Sequence, residues 1–180
     1  MNQLSKRSRA EAPSVKAQQF LTFVVGSETY GFDLAKVHEI RAMSPITPLP
    51  GAPAYVKGVI NLRGSVIPIM GLRERLRLPS APYDRTTIVI VLSVGERIGG
   101  VVVDAVSDVI ALTPDDIEPP PPELGLSDVA FFAGLGKLAG RLITLLEADA
   151  LITDAVEAVP GDPDGETDEL PEGEVTCSRS

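Results

Sequence analysis

Apolar residues along this chain fall in short runs separated by glycine and proline, and helical spacing is confined to one stretch near the C-terminus. "FLTFVV" (20–25) and "TYGFDL" (29–34) flank the turn "GSE" and predict a hairpin. "KVHEIRAM" (36–43) alternates, which puts Val37, Glu39 and Arg41 on one side and His38, Ile40 and Ala42 on the other. "SPITPLPGAP" holds four prolines in ten residues and predicts an extended, fixed connection. Two β-like runs, 59–60 and 66–70, then flank Asn61-Leu62-Arg63-Gly64. The second run lies in the strand "SVIPIMG" (65–71), whose Pro68 cannot donate to a ladder and so marks an edge or a bulge.

The second half follows the same style. "RTTIVIVLSVG" (85–95) is a β-branched, buried strand, "ERIGGVVVDAV" (96–106) follows a Gly95-Glu96 turn, and "SDVIALT" (107–113) continues it. The connector "PDDIEPPPPELG" leads to "VAFFAGLGKLAGRLITLLE" (129–147), a hairpin turning near 137–140. "EADALITDAVEA" (147–158) is helical, with Leu151, Ile152, Ala155 and Val156 on one stripe, and "LRERLRL" (72–78) predicts a shorter helical turn. About nine short strands punctuated this way make an all-β protein, a barrel or a pair of barrels. The central helical turn and the proline connector split the pattern and favour two small barrels.

Composition narrows this further. Aromatic residues are 4% of the chain and Trp is absent, so the core is built from Val, Ile and Leu. The net charge of −9 is unevenly spread: residues 1–16 carry +3, residues 17–159 carry −6 and residues 160–180 carry −6. A negative body with few stacking aromatics disfavours a nucleic-acid partner. The leader (1–16) and the Pro-, Gly- and acid-rich tail (159–180) read as disordered extensions of one folded domain, 17–158. The single cysteine, Cys177, has no partner for a disulfide or a zinc site, as suits a reducing cytoplasm. The longest apolar run, 88–92, is far short of a membrane span, so no direct membrane insertion is expected.

The inventory of reactive groups is thin. The lone histidine, His38, has no Ser or Cys placed beside it by motif. Gly95, Gly99 and Gly100 lack the lysine and the strand-to-helix context of a phosphate loop, and "GLGKLAG" (134–140) opens a strand. Asp115-Asp116 follows Thr113-Pro114, where acids cap or face solvent. No metal cluster is legible, so neither catalysis nor a cofactor is expected; the chain reads as a module that binds.

"YVKGVINLRGSVIPI" (55–69), with "TYGFDLAKVHEI" (29–40) before it and "GGVVVDAVSDVIAL" (99–112) after it, resembles the CheW family of chemotaxis coupling proteins. The likeness runs in order from about Phe20 to Val156. Related domains occur in the kinase CheA and in CheV, but this chain has no room for an ATP-binding or receiver domain. The resemblance implies two interlaced five-stranded SH3-like β-barrels with a C-terminal helix. It also implies a non-enzymatic cytoplasmic adaptor, recruited to receptor arrays, that couples chemoreceptors to a CheA-type histidine kinase. One surface of the first barrel would bind the kinase regulatory domain, and the groove between barrels would hold the cytoplasmic tip of a methyl-accepting chemoreceptor. The alternative is an accessory member that binds receptors but not CheA and competes within the array.

The same resemblance implies the site. The arginine of "NLRG", Arg63, and the acid of "VHEI", Glu39, are expected to face each other across adjacent strands and orient one another for a partner. Asn61 belongs to the same tetrapeptide. Gly58 and Gly100 either relieve a bulge or turn or let a partner's backbone come close. Val37, Ile40, Val101 and Val106 each read as core, yet as a set they border the segments through which the family binds. Where the family commonly carries an acidic or amide residue after the "PI-apolar" run, this chain has Gly71, a weaker cap for the following turn.

Overall fold

In the computed structural model, which describes residues 16–121 and 129–159, the first alternating runs form the expected hairpin. β1 (Gln18–Val25) and β2 (Glu28–Asp33) pair antiparallel around Gly26-Ser27, and Gly26 has φ +66°. Left-handed backbone in a two-residue turn matches the twist of the flanking strands, and glycine adopts it without strain. Asp33 then accepts from the Ala35 N–H to start a single 3-10 turn, which delivers the chain into β3 (Val37–Ala42). There follow β4 (Val56–Leu62), β5 (Ser65–Gly71), the one-turn helix α1 (Leu72–Arg75), β6 (Ile88–Val94), β7 (Arg97–Val103) and β8 (Ala105–Leu112). The last elements are the two-residue β9 (Ile117–Glu118), β10 (Phe132–Leu138), β11 (Arg141–Leu146) and the helix α2 (Ala148–Glu157). The expected leader and tail, apart from Lys16 and Val159, lie outside the described residues.

The strands form two sheets, ordered β8-β1-β2-β11-β10-β9 and β3-β6-β7-β5-β4. The N-terminal hairpin therefore belongs to the sheet otherwise made by the C-terminal third, which is the interlacing. The first sheet differs from the five-stranded expectation by β9, which pairs Glu118 with Leu135 and Ile117 with Gly136. A second difference concerns residues 96–113, where the run breaks at Asp104 and passes from one sheet to the other. No glycine or proline marks that break. Asp104 is fixed there by Arg73, whose Nε (2.8 Å) and Nη2 (2.5 Å) donate to its two carboxylate oxygens, and by the Gly26 N–H (2.8 Å). Pro68 sits on an inner strand, but pairing of β5 with β7 begins only at Ile69, so it occupies the part of β5 flanked by β4 alone.

The two sheets repeat one design. Residues 54–72 and 130–148 align without a gap at a spacing of 76, and residues 20–33 align with 89–102 at a spacing of 69. In both sheets a parallel pair joins equivalent positions, Ile69 with Gly100 and Leu145 with Gly31. Equivalent bulges fall between Val56 and Gly58 and between Phe132 and Gly134. The Gly71 N–H donates to Tyr55 O and the Glu147 N–H to Phe131 O, both at 2.7 Å. Tyr55 and Phe131 are thus counterparts, and the Arg75 guanidinium lies over both rings, 5.2 and 4.7 Å from their centroids.

A small core fills each barrel: Ile60, Ile67, Ile69 and Val89 are among the residues in one, and Phe20, Leu112, Ile143 and Leu145 form the other. The largest core lies between them, where Phe23 and Phe32 of the first sheet meet Met70, Ile90 and Val101 of the second. The helix α2 leaves the first sheet yet packs on β5, β6 and β7, burying Leu151, Ile152 and Ala155 of its predicted stripe. The barrels are therefore joined by burial as well as by crossing strands.

The Asp104 junction carries a pH dependence. Hydrogen bonding from Arg73, helped by the Gly26 N–H and opposed by burial, holds the Asp104 carboxyl below its ordinary value of 3.8. A carboxyl depressed in the fold stabilises fully above its unfolded-state value and loses that contribution as pH falls through the folded one. Asp104→Asn is expected to cost about 1.5–3 kcal/mol at neutral pH. It should also flatten the loss of stability below the ordinary carboxylate range, as read by urea unfolding at pH 7 and in acid.

Candidate partner-binding site

The β4–β5 hairpin closes around Arg63-Gly64, with φ +50° and +89°, between the paired residues Leu62 and Ser65. Two central residues at positive φ make a type I′ turn. Asn61 supports it from inside, its Oδ1 accepting from the Gly64 N–H at 2.9 Å. The turn projects the Arg63 side chain outward, where it is 75% exposed, and its Nη2 donates to Glu39 Oε2 at 2.9 Å. Glu39 is only 22% exposed, and its other oxygen lies 3.8 Å from Arg41 Nη1. One half-buried carboxylate is thus held between two guanidiniums, leaving a net positive charge on the cluster.

The pair forms, though by a different route from that expected. β3 and β4 stand at opposite ends of the strand order, so Glu39 and Arg63 are not on adjacent strands. Barrel closure joins them: after β3 the chain doubles back, and Thr47 and Val59 exchange two backbone hydrogen bonds of 2.9 Å. Ile40, beside Glu39 but on the opposite face of β3, is 44% exposed, and Val66, two residues past Gly64, is 66% exposed. Val37 is half-buried against the shared core, as is Val106, its counterpart on β8.

Gly58, Gly100 and Val101 are buried, which corrects their assignment to a contact surface. What approaches Gly58 is the backbone of Thr47 in the same chain, and its φ of +139° excludes side chains. A Cβ on Gly100 would lie 2.5 Å from Ile69 Cδ1 and 2.8 Å from Val89 Cγ1, inside the second barrel. Val101 is fully buried in the shared core. All three shape the scaffold that carries the site.

Two contributors escaped the sequence reading. Arg41 was legible as the same-face neighbour of Glu39, two positions along an alternating strand; Val66 lay hidden in a run that otherwise goes inward.

The departure at Gly71 also resolves into geometry. The Lys57–Glu74 ion pair lies over this glycine, and a Cβ there would meet the Glu74 carboxylate and, at 2.5 Å, Lys57 Cε. Burial pushes the Glu74 carboxyl up, but hydrogen bonds from Lys57 and Ser80 outweigh it and hold the group below its ordinary range. Glu74 thus puts a carboxylate beside Gly71. Gly71→Asp is expected to destabilise the fold by about 1–2 kcal/mol, because it displaces a half-buried pair and sets two carboxylates side by side. Thermal unfolding of Gly71→Asp against Gly71→Ala separates the charge effect from the steric one.

Comparison with known proteins agrees with this architecture. The model of the CheW-like domain family matches residues 19–156. Chemotaxis protein CheW of Klebsiella aerogenes is 41% identical over 136 residues, covering 76% of this chain and 82% of that protein. Chemotaxis protein CheW of Rhizobium meliloti is 39% identical over 134 residues, covering 74% and 86%. Among solved structures, the scaffolding protein TtCheW from Thermoanaerobacter tengcongensis matches with a TM-score of 0.68 and 32% identity, over 73% of this chain and 89% of its own.

Proposed function

The chain belongs to the CheW-like family, and from that premise we propose that it is a non-enzymatic adaptor coupling chemoreceptors to a CheA-type histidine kinase. The observation that carries the reading is the Arg63–Glu39–Arg41 cluster at the β4–β5 turn, with the exposed Val66 two residues past that turn. Directional charge next to accessible apolar area suits a surface that must be both specific and adhesive. A partner that covers the pair strengthens it by excluding water, provided both charges stay matched.

The proposed partners are the regulatory domain of the kinase and the cytoplasmic tip of a methyl-accepting receptor, met in the cytoplasm or at the inner face of the membrane. No helix among the described residues is long and apolar enough to cross a membrane. Among those residues there is also no group of three or more His, Cys, Asp or Glu side chains placed to hold a metal ion.

The test is a pull-down of the purified chain with the kinase regulatory domain and, separately, with a receptor cytoplasmic fragment. Binding to both supports the adaptor. Binding to the receptor alone overturns kinase coupling and leaves a competitor for receptor sites.

A further inference from the structure

The repeat makes one difference between the barrels visible. In the second barrel the mouth beside Gly71, Leu72, Thr87 and Val102 is plugged by the chain's own side chains, leaving about 20 Å³. The Lys57–Glu74 pair lies over Gly71, and Ala81, Pro82 and Tyr83 of the connector before β6 line the same mouth. The plug is thus an ammonium on a carboxylate with apolar groups packed alongside. The corresponding mouth of the first barrel, beside Glu147, Ala148, Gln18 and Asp33, holds about 270 Å³ over Phe20 and Leu145. The four rim positions correspond one to one at the two repeat spacings.

Charge differs at the same places. In the second mouth each carboxylate of the lining has a cation, Lys57 for Glu74 and Arg73 for Asp104. In the first, Lys57 becomes Ala133 and Gly71 becomes Glu147, so an ammonium is lost and a carboxylate gained. Lys36, the cation of that lining, is paired with Asp149 at 3.1 Å, and neither Asp33 nor Glu147 enters an ion pair among the described residues. Asp33 accepts from Gln18 Nε2 and the Ala35 N–H and keeps lone pairs for a further donor. Burial, with the hydrogen-bonded Asp149 carboxyl beside it, pushes the Glu147 carboxyl above its ordinary range. Beneath the rim, Phe20, Ile117, Leu145 and Leu146 supply apolar surface. An apolar cavity of about 150 Å³ takes a benzene ring, so this one has room for a ring and a short alkyl arm.

We propose that the mouth of the first barrel is a binding site for a small primary amine with an apolar body. The ammonium sits at Asp33 and Glu147 and the body lies over Phe20 and Leu145, supplying what Lys57 and the connector supply in the second barrel. The site is on the other barrel from the Arg63 cluster, and the inference needs no bound kinase or receptor.

The probe is 2-phenylethylamine, titrated at pH 7 into the isotope-labelled full chain and followed in amide spectra. Saturable shift changes at Asp33, Leu145, Leu146 and Ala148 support the proposal when 2-phenylethanol, which keeps the body and lacks the charge, binds at least about tenfold more weakly. Equal binding of the alcohol overturns it, as does the absence of saturable change at those residues. Ala133→Lys restores the ammonium of the second barrel and should abolish amine binding. Glu147→Gln keeps the shape of the rim and should weaken it by about tenfold. Amine affinity unchanged in either variant overturns the proposal.

Discussion

Arg63→Glu is expected to weaken binding to both the kinase regulatory domain and the receptor tip by more than about 30-fold, with the thermal midpoint shifted by less than about 5 °C. In the free protein the Arg63 side chain is mostly solvated, and an exposed pair such as that with Glu39 contributes under about 1 kcal/mol. The I′ turn depends on Gly64 and on the Asn61 support, neither of which the substitution touches. A covering partner changes the balance, because charge reversal leaves two carboxylates facing each other where water has been removed, a loss of about 2–5 kcal/mol. Arg41 keeps part of the field on Glu39, so the residual binding should fall further in Arg41→Ala/Arg63→Glu. The exchange Glu39→Arg/Arg63→Glu should recover part of the affinity. Calorimetric titration of each partner checks these, and full-strength binding by Arg63→Glu would remove the cluster from the interface.

Val101→Asp is expected to prevent folding of both barrels together. Its side chain is fully buried in the core shared by the two sheets, among residues such as Phe23, Ile90 and Ile152, so an aspartate there carries its carboxylate into that apolar cluster. Burying an unpaired charge exceeds about 4–5 kcal/mol, a large share of the stability of a domain this size. Val109→Asp on half-exposed β8 should change stability by less than about 0.5 kcal/mol. Circular dichroism melts report both. A folded Val101→Asp protein that failed to bind would restore Val101 to the contact surface. A melt in two steps would contradict a core common to both barrels.

The legible parts of the fold were those written in local chemistry. Gly26 and Gly140 sit in two-residue turns at positive φ, so the hairpins at 20–34 and 129–147 announced themselves, and α2 showed its stripe. The crossing at Asp104 was illegible because Val101 to Val106 carries no glycine or proline and one acid does not by itself end a strand; the break depends on Arg73, 31 residues away. The repeat was illegible for a related reason. Only five of nineteen aligned residues in 54–72 and 130–148 are identical, and three of these, Gly58, Gly64 and Leu62 with their counterparts, serve the bulge and the turn of the hairpin. Alternation on β3 placed Glu39 and Arg41 on one face and Ile40 on the other, but a mixed pattern does not tell which face water sees. The ion cluster turned out to lie on the more sheltered side, with Ile40 outward. Burial of Gly58, Gly100 and Val101 depends on what packs from the rest of the chain, so strand position alone could not separate scaffold from surface.

One molecule of this chain is proposed to join a kinase to a receptor, and a three-component sedimentation assay reads that bridging out. Receptor fragments assembled on vesicles are pelleted with the kinase regulatory domain, with and without the chain. The kinase domain is expected to pellet only when the chain is present, and Arg63→Glu is expected to abolish this. Kinase that stays in the supernatant while the unmutated chain pellets with the receptors would contradict it.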